Sequence, residues 1–123
     1  MKRSPRVKTT KALGNRGEEQ AVEFLLKNRF QILEKNYRFK HLEVDIIALD
    51  TVQDEVVFVE VKKRSSDKYG HPSLAVNRKK LENLQTAATI FIKQHGLNKS
   101  YRFDIISLLP NKIEHFENVT IDL

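Results

Sequence analysis

Two apolar, β-prone runs broken by charge constrain this chain more than any other feature. They are Glu43-Val-Asp-Ile-Ile-Ala-Leu49 and Val56-Val-Phe-Val-Glu-Val-Lys62, separated by the polar stretch Asp50–Glu55, which reads as a hairpin turn. In the first run, period two puts Val44, Ile46 and Ala48 on one face and Asp45, Ile47 and Leu49 on the other. In the second it separates Val57, Val59 and Val61 from Phe58, Glu60 and Lys62. Both runs are apolar enough to be buried on both faces. A carboxylate in one and a carboxylate–lysine pair in the next are costly there unless paired, hydrated or bound to metal.

The flanking sequence predicts helices around this hairpin. A helix capped by Thr9 or Thr10 runs to about Asn28, with a stripe of Gly14, Ala21, Val22 and Leu25 widened by Gly17, Phe24 and Leu26. Glu18 falls in the middle of that stripe. Glu19 lies at its edge and Glu23 on the solvent side. Gly14 and Gly17 each cost about 1 kcal/mol of helix stability relative to alanine, which close packing on a sheet would offset. Gln31–Phe39 reads as the first strand, with Lys40–Leu42 turning into the second. Asn77 caps a second helix from Arg78 to about Gln94, ended by Gly96, with Leu81, Leu84, Ala88, Phe91 and Ile92 facing inward and Gln85 at the stripe's edge. Tyr101–Leu109 and Lys112–Phe116 complete the strands, the last at an edge. The bland reading of Asp104 is a partner for a nearby arginine at the sheet rim. The order is α-β-β-β-α-β-β, an α/β fold with a mixed five-stranded sheet flanked by helices.

Charge is distributed unevenly. Of the net +6, most lies in the first eleven residues, where Lys2, Arg3, Arg6, Lys8 and Lys11 face no acid. Residues 1–12 read as a flexible basic tail and residues 13–123 as a single domain, as a 123-residue length suggests. A second basic cluster follows the buried charges directly: Lys62, Lys63, Arg64, Lys68, Arg78, Lys79 and Lys80 against Asp67. That position favours a nucleic-acid partner, with Tyr69 able to stack on a base and Gln85 near enough to the sheet to donate to a site. The absence of cysteine excludes disulfides, thiolate metal sites and cysteine nucleophiles. No apolar run approaches the ~20 residues of a membrane span, and no apolar stretch follows the basic start. Cytoplasmic location and no membrane partner are the expectation.

Asp45 followed by Glu60-Val61-Lys62 is an acid on one strand and acid-x-Lys on the next. Adjacent strands lie about 4.8 Å apart, so Asp45 and Glu60 can share a Mg²⁺ or Mn²⁺ ion, with Glu18 bound directly or through water. Lys62, on the face of Glu60, would hold the attacking water and balance developing negative charge.

The chain resembles the bacterial family called UPF0102 or YraN-like. That family is placed in the PD-(D/E)XK nuclease superfamily and is similar in fold to archaeal Holliday-junction resolvases. The resemblance covers residues 13–109 and rests on Gly14–Ala21, Asn36-Tyr-Arg38, Glu43–Ile47, Val57–Arg64, Tyr69-Gly70, Val76–Lys80 and Arg102-Phe-Asp104. It implies a restriction-endonuclease-like core. Its catalytic set maps onto Glu18, Asp45, Glu60 and Lys62, its metal ligands onto Asp45, Glu60, Glu18 and the Val61 backbone carbonyl. It also implies a two-fold dimer. The family usually has glycine before Glu-x-Asp, and Leu42 stands there, so the turn is expected to differ in shape with no ligand lost. The leading function is a metal-dependent endonuclease acting on DNA, more than RNA, of branched or otherwise structured form. The alternative is a nucleic-acid-binding protein of the same fold without turnover. A third reading is a protein-interaction module whose acids pair with Lys62.

Overall fold

A computed structural model describes residues 16–65 and 78–119. The basic tail, the Thr9 or Thr10 cap, Gly14, Lys68, Tyr69 and the Asn77 cap lie outside the described residues. Helix α1 (Arg16–Lys27) leads into β1 (Phe30–Phe39), β2 (Leu42–Asp50) and β3 (Glu55–Lys63). Helix α2 (Arg78–Gln94), β4 (Tyr101–Leu109) and β5 (Lys112–Phe116) follow. The five strands form one sheet in the order β1-β2-β3-β4-β5. Only β3 and β4 run parallel, as their connection through α2 requires; the other neighbours are antiparallel.

Local chemistry sets the element ends. Asn28 donates from Nδ2 to the Phe24 carbonyl at 2.7 Å, and Arg29 takes the left-handed conformation (φ 70°) that stops α1. At the end of α2, Gly96 (φ 58°) lets Leu97 N–H reach the Ile92 carbonyl and its own N–H reach that of Lys93, the paired bonds of a Schellman cap. Between β2 and β3, the Asp50 carboxylate accepts the Val52 and Gln53 N–H groups, fixing the turn. Between β1 and β2, the left-handed residue is Lys40 (φ 59°), and Leu42 packs into the core. Leucine therefore serves as a core residue of the strand, and the turn is made before it.

Each sheet face has its own core. One gathers Ile46, Ala48, Val57, Val59, Ile106 and Leu108 against Ala21 and Leu25 of α1. The other gathers Ile47, Val56, Phe58, Phe103 and Ile105 against Leu84, Ala87, Ala88 and Phe91 of α2. Gly17 sits close on the sheet, since a Cβ there would meet Leu108 Cδ1 at 3.0 Å.

Three details correct the sequence reading. Val44 packs with Ile47 in the α2-side core although Ile46 faces α1, so the alternation breaks at Asp45. Leu26 is 55% exposed, because Ala21 and Leu25 centre the buried stripe of α1 and place Leu26 well round from it. Asp104 is not at a rim: it is 1% exposed, beneath α1 and beside β5.

Candidate active site

The β2–β3 ladder runs from Asp50↔Glu55 to Ile46↔Val59 and pairs no residue beyond. β2 continues to Leu42 against β1, while β3 continues to Lys63 against β4. The two strands therefore part at Asp45 and Glu60, one residue past the last pair. In the fork, the Asp45 carboxylate takes the place of a ladder carbonyl: its Oδ2 accepts the Val61 N–H at 2.8 Å. A cleft opens there, lined by Glu43, Asp45, Glu60, Lys80 and Leu84 among others.

Glu18 reaches this fork from α1. The Asn36 amide and the Asp45 carboxyl are its polar neighbours. Burial pushes its carboxyl above the ordinary 4.5, and the charges of Asp45 and Glu43 push it further; the Asn36 amide opposes them. Asn36 carries φ 54°, a left-handed position that asparagine tolerates, in the middle of β1. Asp45 is also raised, above 3.8, chiefly by burial and then by Glu60 and Glu43. The Val61 N–H and the Lys80 charge pull it down without offsetting those effects.

Glu60 points toward α2, with its side chain 17% exposed. Lys80 Nζ stands 2.9 Å from its Oε2 and Lys62 Nζ 3.6 Å from the same atom. Its other oxygen, Oε1, is buried without a hydrogen-bond partner. The remaining buried side-chain atoms without partners among the described residues are Arg64 Nε and Ser107 Oγ. Arg64 lies just past β3, and Ser107 is paired in register with Lys62. All three unmet groups thus belong to this end of the sheet.

The structure therefore brings Glu18, Asp45, Glu60 and Lys62 around one fork, with Val61 held by Asp45. Among the described residues no three His, Cys, Asp or Glu side chains are grouped closely enough to hold a metal ion. Lysines meet Glu60 instead. The donors nevertheless suit a hard divalent cation: they are oxygens, they repel one another, and one is buried and unpartnered.

Of the residues read as nucleic-acid contacts, Lys63 is exposed at the end of β3, and Arg64 is half-buried, its N–H bonded to the Leu108 carbonyl. Arg78, Lys79 and Lys80 are exposed in the first turn of α2. Lys79 and Lys80 line a second cleft with His41, Glu43 and Asn83, contiguous with the first through Glu43, Lys80 and Leu84. Gln85 is exposed on the outer flank beside Glu82, Thr86 and Thr89, away from the fork. Ala87 is buried where Leu81 and Ile92 are only partly so, and this turns the stripe of α2 away from Gln85.

Sequence reading missed Asn36 as the partner of Glu18 and Lys80 as the partner of Glu60. An asparagine within a strand pattern was the available sign of the first. The second joins residues twenty positions apart, and no local pattern carries it.

No described helix is long and apolar enough to cross a membrane. The model of an uncharacterised protein family, UPF0102, matches residues 17–108. A UPF0102 protein of Thermodesulfovibrio yellowstonii is 45% identical over 108 residues, covering 86% of this chain and 93% of its own. One from Caldicellulosiruptor saccharolyticus is 47% identical over 100 residues, covering 80% and 83%. Among solved structures the chain is similar to Hjc, a Holliday junction resolvase of Archaeoglobus fulgidus. The TM-score is 0.54 at 20% identity, covering 85% of this chain and 76% of that one. At that identity the likeness is one of fold.

Proposed function

The chain belongs to the UPF0102 family, and we propose that it is a divalent-cation-dependent endonuclease hydrolysing phosphodiester bonds in DNA, with branched or otherwise structured DNA as substrate. The observation that carries this reading is the fork itself. Glu18 and Asp45 are pushed up by burial and by neighbouring acids, and Glu60 keeps a buried unpartnered oxygen beside them. The resolvase-like fold supports the choice of branched DNA.

Asp45, Glu60 and the Val61 carbonyl, with Glu18 directly or through water, would hold Mg²⁺ or Mn²⁺. Such an ion supplies an activated water and stabilises charge on the phosphoryl oxygens. Asp45 is kept in place by the Val61 N–H, and Glu18 by Asn36. Lys62, 3.6 Å from Glu60, would steady an incoming water and balance negative charge developing on the phosphoryl group. Lys63, Arg64, Arg78 and Lys79 hold the flanking phosphates. A two-fold dimer would present two such centres to a symmetric junction.

The test is cleavage of a panel of four-way junctions and duplexes with Mg²⁺ or Mn²⁺. Asp45→Ala should lower the rate by on the order of 10³-fold or more. Equal behaviour of wild type and variant sinks the enzyme reading. A second reading, a nucleic-acid-binding protein without turnover, is favoured by the lysines on Glu60 and by the lack of a gathered three-acid set among the described residues. It predicts salt-dependent binding that survives Asp45→Ala and weakens when Arg78, Lys79 and Lys80 are neutralised.

A further inference from the structure

Lys80 stands closer to Glu60 than Lys62 does, at 2.9 against 3.6 Å, although it comes from another element. Its charge also lowers Asp45, so it serves both acids of the fork. It is 44% exposed, on a long stem at the start of α2. It lines both clefts: the one that holds Asp45 and Glu60, and the neighbouring one walled by His41, Lys79 and Asn83. No acid occupies the first turn of α2. Among the described residues, the second cleft offers Lys80 a neighbouring cation in Lys79, the Asn83 amide and the carboxylate of Glu43, which both clefts share.

We propose that Lys80 is an exchangeable counter-ion: it holds the place of the divalent cation on Glu60 and, when the cation binds, moves into the second cleft to hold a substrate phosphate with Lys79, His41 and Asn83. This rests on the nuclease-like reading of the fork and adds to it a phosphate subsite and a coupling. The ammonium and the divalent ion compete for the same carboxylate, so each displaces the other. Once released, Lys80 adds positive charge to a cleft that already carries Lys79. Cation and nucleic acid therefore bind with positive coupling, and the coupling passes through one side chain. By linkage, each tightens the other by the same factor.

Two binding measurements, neither requiring turnover, decide the matter. Calorimetric titration of the full chain with Mn²⁺ alone should show Lys80→Gln binding the ion about fivefold more tightly than wild type, the scale of losing one partly exposed competing ion pair. Equal or weaker binding overturns the proposal. Equilibrium binding of a labelled four-way junction, with and without Ca²⁺, should show cation-enhanced affinity in wild type. That enhancement should fall by about fivefold in Lys80→Gln. In Lys79→Gln, affinity should drop in both conditions with the enhancement kept. An unchanged enhancement in Lys80→Gln overturns the proposal, and matching thermal melts exclude loss of fold as the cause of any change. The two readings fail separately. A protein that cuts no substrate but whose Lys80→Gln variant tightens Mn²⁺ loses the nuclease reading alone; one that cuts DNA with Mn²⁺ affinity unaltered by Lys80→Gln loses only the exchange.

Discussion

Asp45 and Asp104 are both carboxylates withdrawn from water in one sheet, yet their acidities move in opposite directions. Burial pushes both up. At Asp104 it is outweighed by hydrogen bonds from His115 (2.7 Å), from Arg102 Nε (3.0 Å) and from the Asn118 N–H (2.9 Å), and the carboxyl ends below its ordinary value. Arg102 also spans to Asp50 and Glu55, both at 2.9 Å, and its own acidity is weakened further by these partners despite its burial. At Asp45 the Val61 N–H and the Lys80 charge pull the other way, but repulsion from Glu60 and Glu43 adds to desolvation and the carboxyl ends raised. The first cluster is closed, because its partners outweigh the cost of burial; in the second the Val61 N–H on Asp45 and the lysines on one oxygen of Glu60 do not. The second is open, with unmet groups on Glu60, Arg64 and Ser107. Charge placed in a sheet at a cost is structural where it is answered from within the chain, and suited to a ligand where it is not.

The sharpest way to break this comparison is to remove the centre of the closed cluster. Arg102→Met leaves Asp104 and Asp50 buried without their cation and should cost about 3–5 kcal/mol, a large part of a small domain's stability. Urea unfolding followed by circular dichroism measures it. A loss below about 1 kcal/mol would mean that the Arg102 cluster is not closed in the sense argued.

Acid titration separates the clusters by sign. Asp50 and Asp104 have depressed folded-state values, so their contribution is complete above the ordinary 3.8 and is lost as pH falls through those depressed values. Asp45 and Glu18 have raised values. Between the ordinary 3.8 and 4.5 and those raised values the folded chain binds more protons than the unfolded one, so their contribution grows as pH falls through that window. These groups should therefore make stability rise as pH falls toward the ordinary carboxylate values and decline below them. Melting temperature against pH, without divalent ions, tests this. Asp45→Asn should flatten the rise toward the peak and leave the acid decline intact. A rise that persists unchanged in the variant would remove Asp45 as its source.

The two regions were not equally legible in the sequence. Order and type of all seven elements followed from apolar periodicity, because strands with Val and Ile at alternate or continuous positions and a helix ended by Gly96 leave few other readings. The fork's acids were visible as charges in runs that had to be buried. The closed cluster was visible only in part: the pairing of Asp104 with an arginine follows from their proximity on β4, but its depth depends on β5 and on the Phe24 and Phe30 rings against His115. The misplaced side chains, Leu26 and Gln85, lie at stripe edges, where a small rotation of a helix decides exposure. Val44 was misread because alternation assumes a regular strand, and the faces of β2 change at Asp45, where its ladder to β3 has ended.

The smallest expected effect lies at Glu18, the acid that comes from outside the sheet. It is partly exposed, and water screens much of its repulsion with Asp45. Glu18→Gln keeps the shape and a partner for Asn36 while removing one negative charge. Stability without divalent ions should therefore rise, by at most about 1 kcal/mol after screening, where most substitutions lower it. The same variant should bind Mn²⁺ less tightly, since a ligand or an outer-sphere acceptor has lost its charge. Gain of stability together with loss of ion affinity is the signature of an open cluster; the corresponding change in the closed one, Asp50→Asn, should only destabilise. If Glu18→Gln destabilises the chain as Asp50→Asn does, the carboxylate belongs to the structure, and Asp45 and Glu60 are left without their third acid.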